Sequence, residues 1–181
     1  DLRLGNTCNL QCIMCQPRES SKWSHEVQSL INNISDAELK YEWLNKKKIK
    51  TNLYEWYKNE NMWKNLKSFL PHIREIIIGG GEPMIIKRHL EFIKYCAESG
   101  EADHIHLRYH TNVSIFPQNM IPYWEKFERV EIFASVDGYG DAANYIRYPT
   151  QWQEITKNLK LVDNMPDNTW LRFLISVNAL N

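Results

Sequence analysis

Gly5-Asn6-Thr7-Cys8-Asn9-Leu10-Gln11-Cys12-Ile13-Met14-Cys15-Gln16-Pro17 carries three cysteines at the spacing C-x3-C-x2-C. Three thiolates on one tight loop can hold three iron corners of a cubane iron-sulfur cluster and leave the fourth corner without a protein ligand. An open metal position keeps room for a reacting molecule, whereas a structural site closes its coordination sphere. Three cysteines with a histidine close by, here His25, also fit zinc, and clustered thiols can be redox-active or simply buried. Leu2 and Leu4 precede the loop at period two, so the cysteines fall just past a first strand. That is the usual place for function in α/β folds.

Further along, Arg74-Glu75-Ile76-Ile77-Ile78 reads as a buried parallel strand that opens into Gly79-Gly80-Gly81-Glu82-Pro83. Glycines at a strand end let a ligand approach the main chain, and the carboxylate with free carbonyls and amides can grip an ammonium group. The same glycines also read as a plain turn. A helix over 88–99 follows, with Leu90, Ile93 and Ala97 on one side and Gly100 as its stop. From His104 to Asn112 the pattern alternates, placing Ile105, Leu107 and Tyr109 on one face and His106, Arg108, His110 and Asn112 on the other. Such polar side chains on a central strand need partners or water. Facing a barrel lumen they can serve a site, and they can equally satisfy one another beneath it.

A helix is expected over 117–127, then a strand over 130–136 running into Ser135-Val136-Asp137-Gly138. A loop with Tyr145-Ile146-Arg147-Tyr148-Pro149 follows, then a helix over 151–162 (Trp152, Ile155, Leu159, Val162) and a strand over 169–177. Taken alone, Asp137-Gly138 could be only a turn and Arg147 only a surface ion pair. Five strands alternating with helices define the fold class as α/β, a parallel sheet of right-handed βαβ units. The polar faces of the last three strands converge at their C-terminal ends. The expected architecture is therefore a partial (β/α) barrel with a wet, functional inside.

The 181 residues suffice for one domain, with a helical insertion over about 18–70. Starting at Asp1 and stopping just after a strand-like run, the chain reads as a piece of a longer protein that lacks its last barrel strand. Within the insertion, Ser35-Asp36-Ala37-Glu38 resembles a helix start with a serine cap, and Trp63, Leu66, Phe69 and Leu70 mark a helix facing the core. Between Lys40 and Lys64 stand seven lysines and three glutamates among Tyr41, Trp43, Tyr54, Trp56, Tyr57 and Trp63. This mixture can bind single-stranded nucleic acid, or form a solvated face whose aromatics pack inward. Charges balance at 22 of each sign, so no global field argues for nucleic acid or an acidic membrane, and no apolar run is long enough to span a bilayer. Four cysteines, with Cys96 alone in a helical pattern as a small buried hydrophobe, do not make a secreted disulfide framework. A reducing cytoplasm is the expected location.

With these motifs in place, the sequence resembles the radical S-adenosylmethionine (SAM) superfamily, and within it the branch whose members often carry a SPASM or twitch auxiliary-cluster domain. Cys8-x3-Cys12-x2-Cys15, Gly80-Gly81-Glu82-Pro83, Thr111-Asn112, Ser135-x-Asp137-Gly138 and Arg147 carry the resemblance. It implies that Cys8, Cys12 and Cys15 bind a 4Fe-4S cluster whose open iron chelates the amine and carboxylate of SAM. Gly80, Gly81 and Glu82 are then expected at the methionyl amine, Ser135 and Asp137 at the ribose or carboxylate region, and Arg147 at the carboxylate. Asn112 joins the same cofactor-binding set. Met14 stands where many members place an aromatic residue against adenine, and a polarizable thioether can serve there. Asn178 is a further adenosyl-side candidate.

The implied activity is reductive cleavage of SAM to a 5′-deoxyadenosyl radical that takes hydrogen from a substrate, in this branch a peptide or protein. An electron donor such as flavodoxin or ferredoxin is the implied partner, and any auxiliary clusters are expected beyond Asn181. Two other readings compete: a zinc-stabilised binding module, for RNA through the Lys40 to Lys64 tract, and an electron-transfer iron-sulfur protein without SAM chemistry.

Overall fold

Short extended segments separated by helical ones pair in the order in which they occur. The computed structural model describes residues 1–46 and 55–181, the side chains of 43–46 excepted. Strands β1 (Leu2–Arg3), β2 (Glu75–Gly79), β3 (His106–Thr111), β4 (Arg129–Ser135) and β5 (Thr169–Leu174) form one sheet in the order β1-β2-β3-β4-β5, every neighbouring pair parallel. Helices α4 (Lys87–Ser99), α5 (Ile121–Trp124), α6 (Gly140–Ile146) and α7 (Trp152–Val162) occupy the connections. This is the expected α/β partial barrel.

Alternation decides which face is covered. Leu107 and Tyr109 of β3 and Val130, Ile132 and Ala134 of β4 are fully buried. They pack with Phe92, Ile93 and Cys96 of α4, Trp124 of α5, and Ile155 and Val162 of α7. Each large side chain buried there contributes about 1.5–3 kcal/mol. The opposite, concave face is polar. Glu131 accepts from Arg108 Nε at 2.6 Å, Arg129 Nη2 at 2.6 Å and Arg172 Nε at 3.2 Å. Arg108 also reaches Glu75 at 3.0 Å, His106 meets Glu128 at 3.3 Å, and His110 stacks on Phe133 at 5.1 Å. The three polar residues of β3 thus find partners on other segments rather than in one another.

Several boundaries differ from the sequence reading, each for a local reason. The helix expected over 117–127 is a 3-10 turn, Gln118–Met120, followed by the single turn of α5. Pro122 has no N–H to return to the carbonyl four residues back, so an α-helix is admitted only with this proline in its first turn. β5 stops at Leu174 because the Ser176 amide is taken by Asp137 Oδ1 at 2.7 Å instead of by a ladder carbonyl.

The stretch between the cysteine loop and β2, expected as a helical insertion, carries α1 (Ser24–Asn32), α2 (Ala37–Lys46) and α3 (Glu60–Ser68). Asp36, not Ser35, caps α2, its Oδ1 accepting from Leu39 N at 2.8 Å. α3 ends at Ser68, so Trp63 and Leu70 are buried while Phe69 turns outward and is 60% exposed. Tyr57 and Trp63 pack into the core, and Trp63 Nε1 donates to Tyr57 O at 2.6 Å. Trp43, Tyr54 and the lysines at 46–50 of the basic tract lie outside the described side chains. Among the described residues no helix is long and apolar enough to cross a membrane.

Candidate active site

The cysteine loop leaves β1 at Leu4, whose amide donates to Gly79 O at 2.9 Å. Its main chain is then held from three directions. Gln11 N donates to Tyr148 O at 2.6 Å and Ile13 N to Ile146 O at 3.0 Å, which seats the loop on the end of α6 and the residues just after it. From the insertion, Trp23 Nε1 donates to Cys12 O at 2.9 Å, Ser20 Oγ donates to Leu10 O at 2.6 Å, and the Tyr57 hydroxyl meets Thr7 Oγ1 at 3.1 Å. From the glycine loop, Glu82 N donates to Thr7 O at 2.9 Å. That last contact explains the glycines. Gly80 and Gly81 have φ of 87° and 38°, and a Cβ on Gly81 would lie 2.1 Å from Thr7 O, one on Gly80 2.7 Å from Gly5 O. Close approach of the two loops, not only of a ligand, demands residues without side chains.

Cys8, Cys12 and Cys15 line one cavity of about 770 Å³ at the C-terminal ends of the strands. Met14, Gly80, Gly81, Asn112, Ser135 and Arg147 line it with them. Its volume falls within the roughly 300–1,000 Å³ usual for small-molecule sites. Asn112 Nδ2 lies 4.0 Å from Cys8 Sγ, and its Oδ1 accepts from Ser114 N at 2.9 Å. Arg147 Nη1 lies 3.9 Å from Cys12 Sγ, while its Nε donates to Asp137 Oδ2 at 2.7 Å.

Three of the expected residues stand outside the cavity wall. Glu82 is fully buried, its Oε1 accepting from Met84 N at 3.0 Å and Thr111 Oγ1 at 2.8 Å, its Oε2 from Asn112 N at 2.7 Å. Asp137, with a fully buried side chain, joins Arg147 to Ser176. The Asn178 side chain closes a local turn, donating to Ser176 O and accepting from Leu180 N, each at 2.9 Å. Conversely, Arg3, Trp56 and Ser176 line the cavity without a motif to announce them. Ser176 follows the alternation of the last strand-like run; nothing local marks Trp56, which comes from the insertion.

Electrostatics treat the three thiols unequally and favour the thiolate at Cys15 alone. A hydrogen bond from Cys12 lowers the Cys15 thiol to about 7 against the opposing effect of burial, and the Arg147 charge adds to the lowering. Cys12 moves up, through the hydrogen bond with Cys15 and then burial, and burial raises Cys8. Burial also pushes Glu82 up to about 7, against the pull of its three donors.

The donor set, three cysteines lining one cavity, fits an iron-sulfur cluster. A cubane takes one thiolate per iron and so spreads its sulfurs around an open space.

The radical SAM superfamily model matches residues 2–174, and the chain belongs to that superfamily. It is therefore an enzyme whose chemistry is SAM cleavage with a 4Fe-4S cluster, held in a partial radical SAM barrel. No curated protein matches the chain.

Proposed function

We propose that Cys8, Cys12 and Cys15 hold the cluster, that SAM lies between them and the glycine loop, and that a peptide or protein substrate enters the concave face of the sheet. The supporting observation is that the three cysteines share one cavity with Gly80, Gly81, Asn112, Ser135 and Arg147. When bound there, the cluster and SAM supply an electron and a 5′-deoxyadenosyl radical able to take hydrogen from the substrate.

The chain's own residues orient and shield. Gly80 and Gly81 present main chain to the methionyl amine, and Glu82 serves that contact by fixing the Asn112 and Met84 amides rather than by direct reach. Ser135 faces the ribose side, with Asp137 behind it holding Arg147. Met14, 39% exposed at the cavity rim, is placed to lie against adenine, and Asn178 would have to leave its turn to join. Trp56 lines the cavity from the insertion side. The peptide or protein substrate, the SPASM or twitch branch, a flavodoxin or ferredoxin donor and a cytoplasmic location are proposed on the family resemblance.

Anaerobic reconstitution with iron and sulfide, reduction, and addition of SAM test the reading. The expected result is a brown protein that forms 5′-deoxyadenosine and loses both properties in Cys12→Ala. A colourless protein that retains zinc would refute it.

A further inference from the structure

Arg147 is held on both sides by the contacts that seat the cysteine loop. Its neighbours Ile146 and Tyr148 accept from Ile13 N and Gln11 N through their carbonyls, at 3.0 and 2.6 Å. The position of Arg147 along the loop is thereby fixed opposite Cys12. Its guanidinium is fixed as well: Nε donates to Asp137 Oδ2 at 2.7 Å, and the other oxygen of that carboxylate accepts from Ser176 N at 2.7 Å. Nη1 is then left 3.9 Å from Cys12 Sγ, on a side chain only 14% exposed. On the far side of the loop, Asn112 Nδ2 stands 4.0 Å from Cys8 Sγ, oriented by Asn9 Oδ1 at 3.0 Å. Two of the three cysteine sulfurs thus each have one anchored side-chain N–H donor.

We infer that the Asp137–Arg147 pair is a positioning device that sets the reduction potential of the cluster by holding an N–H against Cys12 Sγ, with Asn112 acting alike at Cys8; this rests on the cluster assignment above. Reduction adds negative charge to a site already carrying thiolates, and donors to the sulfurs stabilise the more negative state, so they raise the potential. Asp137 offsets much of the guanidinium charge, and what remains is mainly the directed N–H. The expected effect is accordingly modest, about tenfold in the one-electron equilibrium constant, or about 59 mV.

The test is a potentiometric titration of the reconstituted cluster, read by electron paramagnetic resonance without SAM, so that a contact of Arg147 to the SAM carboxylate does not enter. Arg147→Met, with iron and sulfide content matching wild type, is expected to titrate about 59 mV lower, and Arg147→Lys, which keeps a charged donor, to fall between. If Arg147→Met does not assemble, Arg147→Gln decides in its place with the same downward direction. An unchanged or raised potential overturns the inference, as does loss of the cluster from every variant with the fold intact, which would make Arg147 a holding residue. A wild-type chain that takes up no iron-sulfur cluster overturns the cluster assignment instead.

Discussion

Gly79 and Gly81 are two residues apart, yet the structure asks very different things of them. A Cβ on Gly79 would find Arg3 Nη1 and His110 Cβ at 3.7 Å, ordinary contact, whereas one on Gly81 would meet Thr7 O at 2.1 Å from a φ of 38°. Gly79→Ala should therefore keep its cluster with a midpoint within about 0.5 kcal/mol of wild type. Gly81→Ala should lose at least about 1–2 kcal/mol from backbone strain alone and fail to hold iron, because the cysteine loop must move away. Denaturant unfolding and iron content check both. A glycine run, a carboxylate and an asparagine at strand ends are visible without coordinates, and Gly80, Gly81 and Asn112 line one cavity. Sequence does not show which way an oxygen points. Glu82 and Asp137 turn away from the cavity to bind Asn112 and Arg147, because buried carboxylates must be satisfied by the donors nearest to them.

At the scale of elements, β3, β4 and β5 are joined across their concave face by one carboxylate. Burial alone would raise Glu131, but hydrogen bonds from Arg108 and Arg172 and the charge of Arg129 outweigh it and hold the group below its usual range. A lowered carboxylate contributes stability above its unfolded value and loses it as pH falls through the folded one. Glu131→Gln should cost about 2–3 kcal/mol at neutral pH, less than the roughly 3–5 of a fully buried pair, because the arginines keep access to water. Equal unfolding midpoints for variant and wild type would refute this. β2 was readable as a β-branched run closed by glycine, and β3 and β5 by their alternation of apolar and polar residues. The single turn of α5 was not, because Pro122 limits a helix whose apolar spacing runs on past it. Nor was the attachment of the insertion to the cysteine loop through Ser20, Trp23 and Tyr57, which depends on tertiary contacts.

For the whole molecule, two buried groups give the cluster-free chain opposing pH dependences. Glu82 rises from 4.5 to about 7 through burial, so between those values the folded state holds a proton that the unfolded state lacks, and its contribution is lost as pH rises. Burial lowers His89 from 6.5 to about 4, so over that window the unfolded state holds the extra proton and stability is lost as pH falls. Each effect is on the order of 3 kcal/mol, and in wild type they largely cancel. Relative to wild type, His89→Phe should gain stability as pH falls from 6.5 to 4, and Glu82→Gln should lose it as pH falls from 7 to 4.5. Urea unfolding under reducing conditions reads both, and slopes of the same sign would contradict the assignment.

Whether Cys8, Cys12 and Cys15 hold a cluster with an iron open to SAM is tested most directly by the electron paramagnetic resonance spectrum of the reduced, reconstituted protein before and after SAM is added. A 4Fe-4S signal that changes on addition of SAM, and is absent from Cys8→Ala, is the predicted result. A cluster signal indifferent to SAM would contradict it.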